Sequence, residues 1–173
     1  SRSEFANPVQ TTVTLDHPNA KGYSYDYRGD DRNPVINYGF DVTDPAQWQF
    51  ANGLSEIRLR PNTTDNMFNT QRADLSYDFN DHIKLSGGLD FKDYKFDTTE
   101  QRRTSETTVP NLPAGTTLAD LTNLASFGSN LGVGGSTPTS WVVPDIDAFN
   151  KVFNIYSDSG AFALSPASPS ANA

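Results

Sequence analysis

The chain of 173 residues contains no cysteine, one methionine and two histidines. Without cysteine it has neither a disulfide framework nor a thiolate metal site. His17 and His82 stand far apart in sequence, so no histidine pair has metal-ligand spacing. Basic residues are also scarce, with 13 Lys and Arg against 21 Asp and Glu and a net charge of −8. No basic stripe is available to neutralise phosphates, which argues against nucleic acid as a partner. No apolar run approaches the roughly 18 residues of a spanning helix, a gap that leaves strand-built membrane proteins untouched. No signal peptide opens the chain, as expected of a fragment or a processed product. G-x-S-x-G, H-E-x-x-H, P-loop and dinucleotide fingerprints are missing, and nothing singles out a pair of carboxylates. Neither an enzyme nor a cofactor is expected.

The hydrophobic fraction of 35% is low for a self-contained core. The mean hydropathy of −0.58 agrees. Aromatics, in contrast, make up 12% of the chain, with seven Tyr and eleven Phe. A polar chain rich in aromatics suits a sheet whose apolar content is confined to one narrow face.

The stretch Gln71–Asp97 reads as one long β-hairpin. Ala73, Leu75, Tyr77 and Phe79 alternate with Arg72, Asp74, Ser76 and Asp78 on the first arm. Ile83, Leu85, Leu89 and Phe91 alternate with Lys84, Ser86, Asp90 and Lys92 on the second. This is the period of two that a pleated strand requires. A three-residue turn, Asn80-Asp81-His82, sets Phe79 opposite Ile83. It also sets Asp78 opposite Lys84, Arg72 opposite Asp90, Tyr77 opposite Leu85 and Phe68 opposite Tyr94. A slip of one residue would oppose apolar to charged throughout. Alternation alone fits either a soluble sandwich or an outer-membrane barrel, which turns its apolar face to lipid. Two features favour the barrel. The second arm exceeds the usual strand of about 5–6 residues. The connections are also lopsided, a tight turn at one end and long loops at the other.

Elsewhere, Ser1–Asp16 reads as a strand with Pro8 at its edge. Tyr23, Tyr25 and Tyr27 suggest a hairpin inside a long acidic loop, and Asp44-Pro45 a short helical turn through Trp48. Ser55–Arg60 reads as a strand with Ile57 and Leu59 facing outward and Glu56, Arg58 and Arg60 inward. Asn62–Asn66 reads as a turn. After Asp97 the chain becomes rich in Pro, Gly, Ser and Thr, so residues 1–97 are read as strands with one long loop and 98–173 as a loop-like region low in regular structure. Two short helices are expected there. One begins at the capping box Thr117–Asp120, with Leu118, Leu121 and Leu124 following. The other runs from Asp145 to Tyr156 with Ile146, Phe149 and Phe153 at helical spacing. The tripeptide Arg28-Gly29-Asp30 is short enough to arise by chance, and the sequon Asn62-Thr63-Thr64 matters only in a secreted eukaryotic protein. Asp26, Asp30, Asp31, Asp41 and Asp44 form an acidic cluster with hard-ion ligands but without EF-hand spacing.

The segments SRSEFANPVQTTVTLD, YDYRGD, NPVINYGFDVTDPA, LSEIRLRPNTTDN, RADLSYDF and KLSGGLDFKDYKF together resemble the barrel region of TonB-dependent outer-membrane receptors of the alphaproteobacterial type, most specifically in NPVQTTV and RADLSYDF. The resemblance covers about residues 1–106. It implies an all-β fold, an antiparallel transmembrane β-barrel segment with long external loops carrying short helices. The implied whole is a 22-stranded barrel closed by a plug, in the outer membrane of a Gram-negative cell. It implies uptake of a scarce ligand, an iron chelate, cobalamin or oligosaccharide. The implied partners are outer-membrane lipid, the remaining strands and plug of the same receptor, and the TonB complex through that plug. The chain lacks a TonB box, a plug and a terminal strand ending in an aromatic residue, and supplies too few strands to close a barrel; an internal piece of a receptor is expected. On this reading Arg72, Asp74, Asp78, Lys84 and Asp90 face the lumen, and Tyr23, Tyr25, Tyr27 and Trp141 are ligand-loop residues. The long loops are expected on the side opposite the Asn80–His82 turn. The alternative is a soluble or surface-attached β-rich module that binds carbohydrate or a protein.

Overall fold

The computed structural model describes residues 1–128, 130, 132–133 and 137–167. The tail expected as loop, from residue 168 on, lies outside them. The described chain is all-β with one short α-helix, and its sheets are antiparallel and do not close into a barrel. No helix is long and apolar enough to cross a membrane, which bears on helices alone. The chain forms two compact units interleaved in sequence.

The first unit comprises residues 1–10, 60–101 and the chain from 166. It is built on β1 (Arg2–Asn7), β6 (Asn62–Asn80) and β7 (Ile83–Arg103), the last two residues of β7 excepted; the sheet order is β1-β6-β7-β10, and of β10 (Leu164–Pro166) only Pro166 falls in this unit. β6 and β7 are 19 and 21 residues long and form the expected hairpin. Asp78 lies opposite Lys84, Arg72 opposite Asp90, Tyr77 opposite Leu85 and Phe68 opposite Tyr94. The turn differs. Asn80, not Phe79, faces Ile83, and the register shifts between Asp78 and Asn80. Phe79 is thus an extra residue in a bulge, and the Asn80 side chain closes the tight turn by accepting the His82 amide at 2.9 Å. Asn62–Asn66 is strand rather than turn. These polar residues are paired on both sides, to β1 (Asn7↔Asn62 to Ser3↔Asn66) and to β7 (Asn62↔Glu100 to Asn66↔Phe96). Two flanking ladders override their turn propensity. β7 runs on past Asp97 to Arg103.

The Ser1–Asp16 strand is two strands. Pro8 breaks it, and β2 (Thr11–Thr14) pairs with β5 (Glu56–Leu59) in the second unit. That unit comprises residues 11–59 and 102–165. It also holds β3 (Ser24–Asp26), β4 (Val35–Asn37), β8 (Thr122–Ser126), β9 (Ser140–Pro144) and α1 (Ile146–Phe153). Ile57 and Leu59 do not face outward. They are buried in a core with Val13, Leu121, Phe149, Ile155 and Phe162, because Val13 pairs directly with Ile57 and α1 brings Phe149 over them. Asp145 caps α1, accepting the Ala148 amide at 3.0 Å, and Asn154 ends it in the left-handed conformation. The Thr117–Asp120 signal yields a 3-10 turn, Leu118–Leu121, with both leucines buried. The chain then extends into β8, which leaves Leu124 exposed. Pro45–Gln47 is the expected helical turn, capped by Asp44. Buried Arg103 binds the unit together. Its guanidinium donates to the carbonyls of Ala161 (2.9 Å), Ile57 (2.8 Å) and Thr108 (2.7 Å) and lies 4.7 Å from the Phe162 ring centre. Burial lowers its pKa.

Candidate functional site

Two surface features stand out, one in each unit. The first is the hairpin's two-faced surface. Near the turn, Ala73, Leu75, Tyr77, Ile83, Leu85, Leu89 and Phe91 share one face, and the larger of them are all exposed, Leu89 to 80%. The opposite face carries Arg72, Asp74, Asp78, Lys84 and Asp90, the five charged candidates, which the register brings together. Their ion pairs run partly along the strands. Arg72 binds Asp74 at 2.7 Å rather than Asp90 opposite, Lys92 takes Asp90 at 3.3 Å, and Lys84 reaches Asp78 across the hairpin at 3.7 Å. Gly88 makes room for this face: a Cβ there would sit 2.5 Å from an Asp74 carboxylate oxygen.

Farther from the turn the faces exchange character. Asn69, Asp93, Lys95 and Asp97 continue the formerly apolar face, while Phe68, Tyr94 and Phe96 appear on the formerly charged one. The apolar band is therefore bounded along the strand. On β7 it runs from Ile83 to Phe91, about 26 Å at 3.3 Å per residue. Among the described residues no other strand pairs with the hairpin between Asn69 and Phe96, so both its edges are open there.

The second feature is a row of aromatic rings in the second unit. Tyr23 packs edge-on to Tyr25, with ring centres 5.0 Å apart, and lies 5.6 Å from Tyr38. Tyr38 packs edge-on to Trp141 at 4.4 Å, and Trp141 lies 5.6 Å from Phe127. Strand alternation puts Tyr23 and Tyr25 on one side of the β3–β4 hairpin, where Tyr25 pairs with Ile36. Gly39, at φ +76, lets the chain close behind Tyr38, since a Cβ there would lie 1.7 Å from the Lys21 carbonyl oxygen. Two bonds bring Trp141 to this hairpin: the Ile36 amide donates to Thr137 Oγ1 at 2.9 Å, and the Val142 amide to the Val42 carbonyl at 3.0 Å.

Of the four aromatic candidates, Tyr23, Tyr25 and Trp141 thus meet, through Tyr38. Tyr27 does not, and among the described residues no ring contact joins it to the row. Tyr38 and Phe127 were not singled out in the sequence. For Tyr38 the signal was its neighbour Gly39; Phe127 had none. The Tyr23 hydroxyl donates to that of Tyr25, which pushes the Tyr23 pKa up to about 12. Burial raises that of Tyr38. Arg28 is held by Asp26 through two bonds, at 2.8 and 2.6 Å, and these keep the Asp26 carboxyl well below its usual range. Three more of the acids are occupied locally: Asp30 accepts from Arg32 and Asn33, Asp41 from Thr43, and Asp44 caps its turn. Among the described residues no three His, Asp or Glu side chains gather as a metal site requires. Comparison of the chain with protein-family models, with curated proteins and with solved structures finds no match.

Proposed function

We propose that the chain is part of an outer-membrane TonB-dependent receptor that takes up a scarce ligand, an iron chelate, cobalamin or oligosaccharide. Its hairpin serves as barrel wall and its second unit as external loop structure. The observation that carries this reading is the bounded, exposed apolar band on one face of the hairpin. Nine residues, Ile83–Phe91, match the roughly 9–11 of a membrane-crossing strand. At a tilt of about 40° they rise about 20 Å, near the apolar height of about 25 Å in such barrels. Tyr77 and Phe79 at one end and Phe91 at the other stand where aromatic girdles stand. The open edges are where neighbouring strands of the receptor would pair. Arg72, Asp74, Asp78, Lys84 and Asp90 then face the lumen.

The four points where the chain leaves the first unit lie near the paired residues Asn7, Asn62 and Glu100, at the end of the hairpin opposite the turn. This supports a periplasmic turn and external long segments. The plug and remaining strands of the receptor are the partners this reading requires, with TonB acting through the plug.

Detergent dependence tests the proposal. The purified chain is expected to associate in water and to disperse in micelles, with spin labels at Leu85 and Leu89 shielded from aqueous quenchers and labels at Asp78 and Asp90 less so. A monodisperse, detergent-free monomer would overturn it. The second unit's own hydrophobic core favours the rival in that event, a soluble or surface-attached module binding carbohydrate or a protein.

A further inference from the structure

We infer that the Tyr25–Tyr23–Tyr38–Trp141–Phe127 row is a binding site for a neutral oligosaccharide. The inference deepens the receptor reading by choosing among its ligand classes, and it rests on that reading only for the word receptor. The row exposes ring surface that no described side chain covers, with Tyr23, Tyr25 and Phe127 each about half exposed (52%, 57% and 48%). Isolated exposed aromatics need no explanation, but five in one chain of ring contacts form a patch. Sugar rings present flat C–H faces that pack on aromatic rings, and hydroxyls that need donors and acceptors at the same edge.

The row offers both. Tyr23 donates to Tyr25, so the Tyr25 hydroxyl keeps its own proton for a ligand oxygen, and Tyr23 keeps a lone pair to accept one. Charge narrows the choice further. An anionic chelate or an acidic glycan calls for a free guanidinium or ammonium group. Of the basic residues near the row, Arg28 is already committed to Asp26 by two bonds, and Lys21, Arg28 and Arg32 together are outnumbered within residues 16–32 by Asp16, Asp26, Asp30 and Asp31. The second unit as a whole holds 12 acidic and 7 basic residues, net −5, and so repels anions. A cationic ligand would seek an uncommitted carboxylate at the ring faces, and Asp26, the acid next to Tyr25, is spent on Arg28.

The test uses the full chain in detergent micelles and follows tryptophan fluorescence. Trp48 is replaced by Phe so that Trp141 alone reports. The probes are maltohexaose, cellohexaose and xylohexaose, with oligogalacturonate as the anionic contrast and a chitosan oligomer as the cationic one. At least one neutral probe is expected to shift the Trp141 emission saturably. Tyr38→Ala and Tyr23→Ala should weaken that binding by about tenfold or more, a loss of about 1.4 kcal/mol. Tyr23→Phe should weaken it less, and Tyr27→Ala should leave it unchanged. No response to any neutral probe up to about 10 mM, the edge of useful affinity, overturns the inference. So does a response confined to a charged probe, or one that Tyr27→Ala removes and Tyr38→Ala does not. The two readings separate cleanly. A chain that needs detergent yet ignores neutral sugars loses only the ligand assignment. One that binds them as a soluble monomer loses only the barrel.

Discussion

The two units of this chain spend the same apolar residue types in opposite ways. Every hydrophobic side chain buried among the described residues belongs to residues 11–59 or 102–165. In the hairpin unit Leu75, Leu85 and Leu89 are 78%, 72% and 80% exposed, while Leu121 in the other unit is 1% exposed. One unit thus closes an apolar core, and the other leaves its apolar face exposed. A low overall hydrophobic fraction concealed this, because it averaged a closed core with a bare ribbon. Two strands with open edges and an uncovered face are marginal by themselves.

The sharpest way to break this comparison is to damage the closed core. Phe149→Ala removes a fully buried ring and should cost about 3–5 kcal/mol. Denaturant unfolding followed by Trp48 and Trp141, both in the second unit, should show the loss. Arg103→Ala should follow at about 2–4 kcal/mol, since it orphans three carbonyls that the guanidinium now satisfies. Arg103→Lys should recover only part of this, because an ammonium cannot reproduce the planar fork. Equal stability of Arg103→Ala and the parent would show those carbonyls finding water instead.

Leu89→Arg sharpens the other side. In a bilayer it should cost up to about 2–4 kcal/mol if the residue lies near the midplane. In aqueous denaturation of the second unit it should cost nothing measurable. An equal effect in both media would contradict a lipid-facing band. The smallest expected effect is at Asp145. Its carboxyl is held low by the Ala148 amide and the Asn123 side chain. A depressed folded pKa means that stability is present above the ordinary carboxylate range near pH 4 and is lost as pH falls through the folded value. Asp145→Ala should lower Tm by about 4 °C at pH 7, as loss of a helix cap does. It should also flatten the decline of Tm between pH 5 and pH 2.

The hairpin was legible because its information is local. Charge pairs and alternation fixed the register of Asp78 with Lys84 from a few neighbouring residues. The bulge at Phe79 was not legible, since a three-residue loop and a bulged tight turn place the same residues within the same span. Asn62–Asn66 misled for a related reason: polar composition announces a turn unless two neighbours supply ladders, and the neighbour β1 lies sixty residues away. Ile57 and Leu59 alternated as any half-buried strand does, and what decides which side is inside is distant in sequence: Val13 on the paired strand, and Phe149 and Ile155 almost a hundred residues on. The aromatic row was half legible for the same reason. Tyr23 and Tyr25 follow strand period, but Trp141 joins them through Tyr38, across more than a hundred residues.

The interleaving of the two units has a consequence for synthesis. Residues 60–101, which make the hairpin, leave the ribosome before residues 102–165, which complete the core around Val13 and Ile57. At about 5–20 residues per second the delay is on the order of several seconds, while a hairpin closes in microseconds. The strands of the hairpin are therefore synthesised before the segments that close the core around Val13 and Ile57. A slowed ribosome within residues 102–165 would lengthen that interval.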